Sequence, residues 1–193
     1  MAAALPAARH VLNVCSDRYH FTVVFAASLV RRQISLLPST HTPEVIRRLR
    51  DFAPDTFCVT DDPHCSIDLP RVRYPEAAPA AVGDMGAADL RIEDEQVAAY
   101  VFTSGSTGAP LPYRKSWGPL VACVRLEAEC LELRGAEVIV GTVPPQHMYG
   151  FESTVLLALQ SGCALSAGRP FYPADICAQL SALPEPRVLV STP

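Results

Sequence analysis

The sequence predicts an α/β protein with a mostly parallel sheet flanked by helices. Three observations carry this prediction. Short β-branched runs alternate with amphipathic runs of ten to fifteen residues, the pattern of βαβ units. Helix-start signals follow the first two apolar runs. Half of the 193 residues (49%) are hydrophobic, enough to build one sizeable core.

VLNVC (11–15) reads as a strand and YHFTVVFAASLVRR (19–32) as a helix, with Ser16 or Asp17 as its cap. ISLLP (34–38) is the next strand, stopped by Pro38. Thr42 caps PEVIRRLRDF (43–52), whose first-turn proline lacks an N–H that would be unpaired anyway. TFCVT (56–60) follows as a strand. Residues 61–95, rich in Pro, Ala and acid, read as an irregular surface excursion with one short strand within 66–73. The alternation resumes with the strand QVAAYVFT (96–103), a glycine-rich loop, and a helix within 116–134 closed by Gly135. AEVIVGTV (136–143) is a strand and FESTVLLALQSG (151–162) a helix ended by glycine. CALSA (163–167), PADICAQLSAL (173–183) and RVLVSTP (187–193) read as strand, helix and strand. A core strand with no return element at the end suggests a truncated domain. There is no internal repeat.

The net charge of −4, with Lys and Arg spread along the chain, argues against nucleic acid as a partner. No apolar run reaches the roughly 18 to 20 residues that span a bilayer, since FTVVFAASLV (21–30) is closed by Arg31 and Arg32. The alanine-rich start lacks the charge-then-apolar order of a secretory signal. Seven cysteines, an odd number without a CxxC pair, fit a reducing cytoplasm. Cys58 with His64 and Cys65 is the closest cluster and lacks the second ligand pair of a zinc finger.

The stretch FTSGSTGAP (102–110) places small hydroxyl residues and two glycines at a strand end, where ligands of open α/β sheets bind. Its backbone N–H groups and hydroxyls form an anion-binding loop, and the absence of Asp and Glu is what a polyphosphate requires. The spacing does not fit a Walker loop, a GxGxxG fingerprint or a GxSxG elbow. A flexible Gly/Ser connector is the bland alternative.

FTSGSTGAP resembles the phosphate-binding signature TSGSTGxPKG of the adenylate-forming enzymes, which include acyl- and aryl-CoA synthetases, luciferases and peptide-synthetase adenylation domains. VPPQHMYGFE (143–152) is similar to the family segment that lines the acyl pocket, and the first βαβ stretch resembles the family's early unit. Together with RKSWG (114–118), it looks most like the ligases of aryl polyene and xanthomonadin-type pigment clusters.

The resemblance implies part of the large amino-terminal domain of an AMP-forming ligase. It implies ATP and magnesium, a small-molecule carboxylate, and CoA or the phosphopantetheine of an acyl carrier protein as acceptor. Thr103, Ser104, Gly105, Ser106, Thr107 and Gly108 would hold the phosphates, with Thr107 at the metal. His147 would act at the reacting carboxylate, and Tyr149 and Gly150 would shape the acyl pocket; otherwise His147 caps the following helix. The family lysine and glycine after the loop proline are Leu111 and Pro112 here, so Lys115, or Arg114, is the candidate for the lost charge. The later adenine, ribose and carboxyl-terminal lysine elements do not occur in the 193 residues, which predicts a fragment inactive alone. A non-catalytic nucleotide- or phosphate-binding α/β module is the alternative.

Overall fold

The computed structural model describes residues 1–75, 91–103 and 111–192. The phosphate-loop residues 104–110, and 76–90 of the acidic excursion, therefore lie outside the described residues.

The chain runs β1 (His10–Asn13), α1 (Arg18–Val30), β2 (Ile34–Leu37), α2 (Pro43–Phe52), β3 (Phe57–Thr60) and β4 (Arg71–Arg73). It continues with β5 (Val97–Thr103), β6 (Leu111–Ser116), α3 (Trp117–Cys130) and β7 (Val138–Gly141). The helical segment α4 comprises Met148–Gly150, a π-helical Phe151–Leu156 and Leu157–Ser161. β8 (Ala164–Leu165), α5 (Pro173–Ala182) and β9 (Arg187–Val190) follow.

Six strands form a sheet in the order β4-β3-β1-β2-β5-β6, parallel except for the β5–β6 pair, and β8-β7-β9 form a second, parallel sheet. The mostly parallel α/β class holds. Period-two side-chain alternation explains how helices cover both faces. Val11, Leu37, Val59, Ala99 and Val101 pack with Phe21, Val24 and Phe25 of α1, Leu120 of α3 and Phe151 of α4. Leu12 and Leu36 point to the opposite face and pack with Ile46 and Leu49 of α2. Both α1 and α2 start where the sequence places their caps: Asp17 accepts from the His20 amide at 2.9 Å, and Thr42 from the Val45 amide at 3.4 Å.

Three readings need correction. Residues 111–116, expected to lead from the loop into a helix, form β6, antiparallel to β5 with Thr103 opposite Leu111. Leu111 and Tyr113 on this strand are about half exposed, so its apolar pattern carries no inward face for sequence reasoning to detect. α3 ends at Cys130 rather than at Gly135, because Glu132 takes a left-handed φ of 53° and breaks the helix first. The helix expected from 151 begins at Met148.

Candidate active-site crevice

Parallel strands deliver their carboxyl ends to one side of the sheet. The turns after β1, β2, β7 and β8 meet there around a crevice of about 270 Å³, lined by Val14, Ser16, Ser39, His41, Pro144, Gln146, His147 and Arg169.

His147 precedes α4 as its cap residue, with an extended backbone (φ −82°, ψ 142°), and its side chain makes no capping bond. The imidazole instead reaches the Ser39 carbonyl after β2, with Nε2 at 3.1 Å. A carbonyl only accepts, so Nε2 donates, and in the neutral ring Nδ1 keeps a lone pair. Gln146 Nε2 donates to the Cys15 carbonyl at 3.4 Å, a second tie between this turn and the end of β1. Tyr149 is about half exposed beside it. Gly150 is there for space: a Cβ would stand 2.2 Å from the Pro144 carbonyl oxygen. The following π-helical turn, where Thr154 Oγ1 donates to the Gly150 carbonyl, is a departure from α-geometry often found at functional sites.

Beneath the crevice lies Arg18, fully buried at the start of α1. Its Nη2 donates to the Gly141 and Val143 carbonyls at 2.8 and 2.6 Å, Nη1 to Thr154 Oγ1 at 3.4 Å and Nε to the Gly168 carbonyl at 3.4 Å. These acceptors are neutral, so the charge is hydrogen-bonded without being neutralised. Burial, with the nearby Arg169, lowers its pKa to about 10, which still leaves it cationic at neutral pH. His41 is likewise pushed below its ordinary value, by burial first and His147 second. Asp61, at the end of β3, accepts from the Ser16 and Asp17 amides at 2.8 and 3.0 Å, and from His20 Nδ1 at 3.0 Å. Burial pushes its carboxyl up, and these hydrogen bonds more than offset that, leaving it below its ordinary value.

Of the residues singled out from the sequence, His147 lines the crevice and Tyr149 and Gly150 follow it in the chain, whereas His41 and Arg169 line it without any signal in the sequence. Thr103 ends β5, and the pairing of Thr103 with Leu111 brackets residues 104–110 as the connection of an antiparallel pair at the same sheet end. Lys115 pairs with Ala99, four residues further along β6, so its backbone stands about 14 Å from the loop's end at roughly 3.4 Å per residue. It acts electrostatically on Glu152, whose carboxyl burial raises. Among the described residues no helix is long and apolar enough to cross a membrane.

No family model and no curated protein matches the chain. Solved structures do. A malonyl-CoA ligase in a ternary product complex with methylmalonyl-CoA and AMP is 21% identical, with a TM-score of 0.72 over 90% of this chain and 38% of that one. An o-succinylbenzoate coenzyme A synthetase from Bacillus subtilis, in complex with ATP and magnesium ion, is 14% identical with a TM-score of 0.71 over 93% and 49%. The ATP-bound RpMatB-BxBclM chimera is 16% identical with a TM-score of 0.73 over 94% and 39%. The chain therefore spans less than half the length of these solved structures, and at these identities the likeness is one of fold: the chain is folded like part of an acyl-CoA ligase.

Proposed function

We propose that the chain is part of the large domain of an AMP-forming acid–thiol ligase, which uses ATP to activate an aromatic or fatty carboxylate and passes the acyl group to CoA or a carrier-protein thiol. One observation carries the reading: the FTSGSTGAP signature begins at the carboxyl end of β5, on the sheet end where the His147 crevice opens. The likeness of fold to acyl-CoA ligases supports it.

In this reading Thr103 to Gly108 hold the β- and γ-phosphates through amides and hydroxyls. Thr107 supplies an oxygen to magnesium, which screens phosphate charge when bound. The crevice suits an anionic substrate, since Arg169 lines it, the buried cation Arg18 lies close by, and among the described residues no carboxylate lines it. His147, held by Ser39, orients the reacting carboxylate, and Tyr149 and Gly150 form the adjoining wall. The ligase activity belongs to a longer protein, and the 193 residues alone hold nucleotide without completing the reaction. The closer kinship to pigment-cluster ligases rests on the sequence stretches quoted above.

The test is calorimetric titration of the 193-residue chain with ATP and magnesium. Binding that falls at least about tenfold in Gly108→Asp, where a carboxylate repels phosphate, supports the reading. Binding indifferent to that change sinks it. Lys115→Ala settles its own assignment: weaker ATP binding keeps Lys115 among the phosphate ligands, and unchanged binding removes it.

A further inference from the structure

Arg18 opens α1 and is fully buried, yet among the described residues it makes no ion pair. Its four acceptors belong to three segments far from it in the chain: the end of β7, the turn after β8 and the π-helical part of α4. Each acceptor leads to the crevice. Val143 precedes Pro144 and Gly168 precedes Arg169, and both of these following residues line it. Thr154 Oγ1, which accepts from Arg18, donates in turn to the carbonyl of Gly150, the residue that leaves room for the Pro144 carbonyl. β7 also makes room for the guanidinium. A Cβ at Gly141 would stand 3.0 Å from Arg18 Cζ and Nη2 and 2.8 Å from Thr154 Cγ2, so the strand carries no side chain where the guanidinium lies.

Joining neutral oxygens does not by itself call for a charge. A buried cation without a carboxylate partner is costly to the fold, more so than an uncharged donor. What the charge adds beyond the hydrogen bonds is its field, and Arg169 of the crevice lies within it: burial first, and repulsion from Arg169 second, lower the Arg18 pKa.

We propose that Arg18 is a positioning residue for the crevice. It fixes the turn carrying His147 against the turn carrying Arg169, and its charge sets a fixed positive potential that draws an anionic ligand there. The planar guanidinium fork holds the Gly141 and Val143 carbonyls through one nitrogen while its other nitrogens reach Thr154 and Gly168, a geometry that a lysine ammonium does not reproduce. At that depth the charge is weakly screened, so its field carries to a ligand it does not touch. The proposal rests on reading the crevice as the pocket for the reacting carboxylate.

The 193-residue chain is titrated with benzoate and with benzamide, which share a shape and differ in charge, with and without ATP and magnesium. Benzoate is expected to bind at least about tenfold tighter. Arg18→Gln is expected to cut that ratio at least about fivefold, whereas Arg18→Lys keeps most of it and weakens both ligands, because the charge stays and the fork is lost. Arg31→Gln, the same change of charge at the far end of α1, leaves the ratio intact. A merely deformed pocket weakens both ligands by one factor, so an unchanged ratio in Arg18→Gln overturns the proposal. Equal or absent binding of the two ligands by the unaltered chain overturns it as well. Where Arg18→Gln does not melt cooperatively, the unaltered chain decides: benzoate, and not benzamide, is expected to shift the Arg18 Nε–H resonance, and a resonance indifferent to benzoate overturns the proposal. Retained ATP binding with no benzoate preference overturns this inference and spares the ligase reading. A benzoate preference that depends on Arg18, without ATP binding, supports the inference and counts against that reading.

Discussion

Arg18 and Asp61 do opposite jobs at the base of the crevice. Arg18 ties α1 to the carbonyls after β7, and with a leucine in its place those buried oxygens lose their donors. Arg18→Leu is expected to cost about 3 kcal/mol or more in urea unfolding, since each orphaned buried acceptor costs about 1–3 kcal/mol. Asp61 is held below its ordinary carboxyl value, so it stabilises the fold above the unfolded range near pH 4, and that contribution disappears as pH falls through the lower folded value. Asp61→Asn is expected to be less stable at neutral pH and to show a flatter loss between about pH 5 and 2; an unchanged acid profile would contradict the assignment. The caps Asp17 and Thr42 were legible in the sequence because each bonds an amide three residues on. Arg18 was not, because its partners lie more than 120 residues away and are backbone oxygens that leave no mark on residue type.

At the scale of elements, helices and inner strands announce themselves through period, and edges do not. β2, β3 and β7 are fully buried runs of four, and β1 is buried from Val11 on, so they read as strands from their apolar content. β6 pairs on one side with β5 and exposes Leu111 and Tyr113, so its Pro- and Arg-bearing sequence passes for a loop. β4 likewise reads only as a short strand within an irregular stretch, Arg71–Arg73. The turn before α4 stood out in the sequence through its resemblance, but its tightness belongs to packing. Gly150→Ala is expected to destabilise the protein by about 1–3 kcal/mol, because the added methyl meets the Pro144 carbonyl, and to disturb the His147–Ser39 contact. A shift in His147 imidazole resonances, alongside the lower unfolding midpoint, is the measurement that checks it.

For the whole molecule, two sheets and their helices bring turns more than a hundred residues apart to one sheet end, with His147 on Ser39 as the direct link. Fold class was legible because alternation is a global pattern, whereas His41 and Arg169 meet at the crevice only once β1, β2, β7 and β8 are assembled. The chemistry of residues 104–110 is carried by their sequence and by the strand end that presents them. The central claim is that this end holds a nucleotide polyphosphate. Hydrogen exchange of the 193-residue chain with and without ATP and magnesium tests it most directly. Slowed exchange confined to peptides covering 103–111 and the strand-end turns is the expected result, and protection that falls elsewhere, or none at saturating ATP, would contradict it.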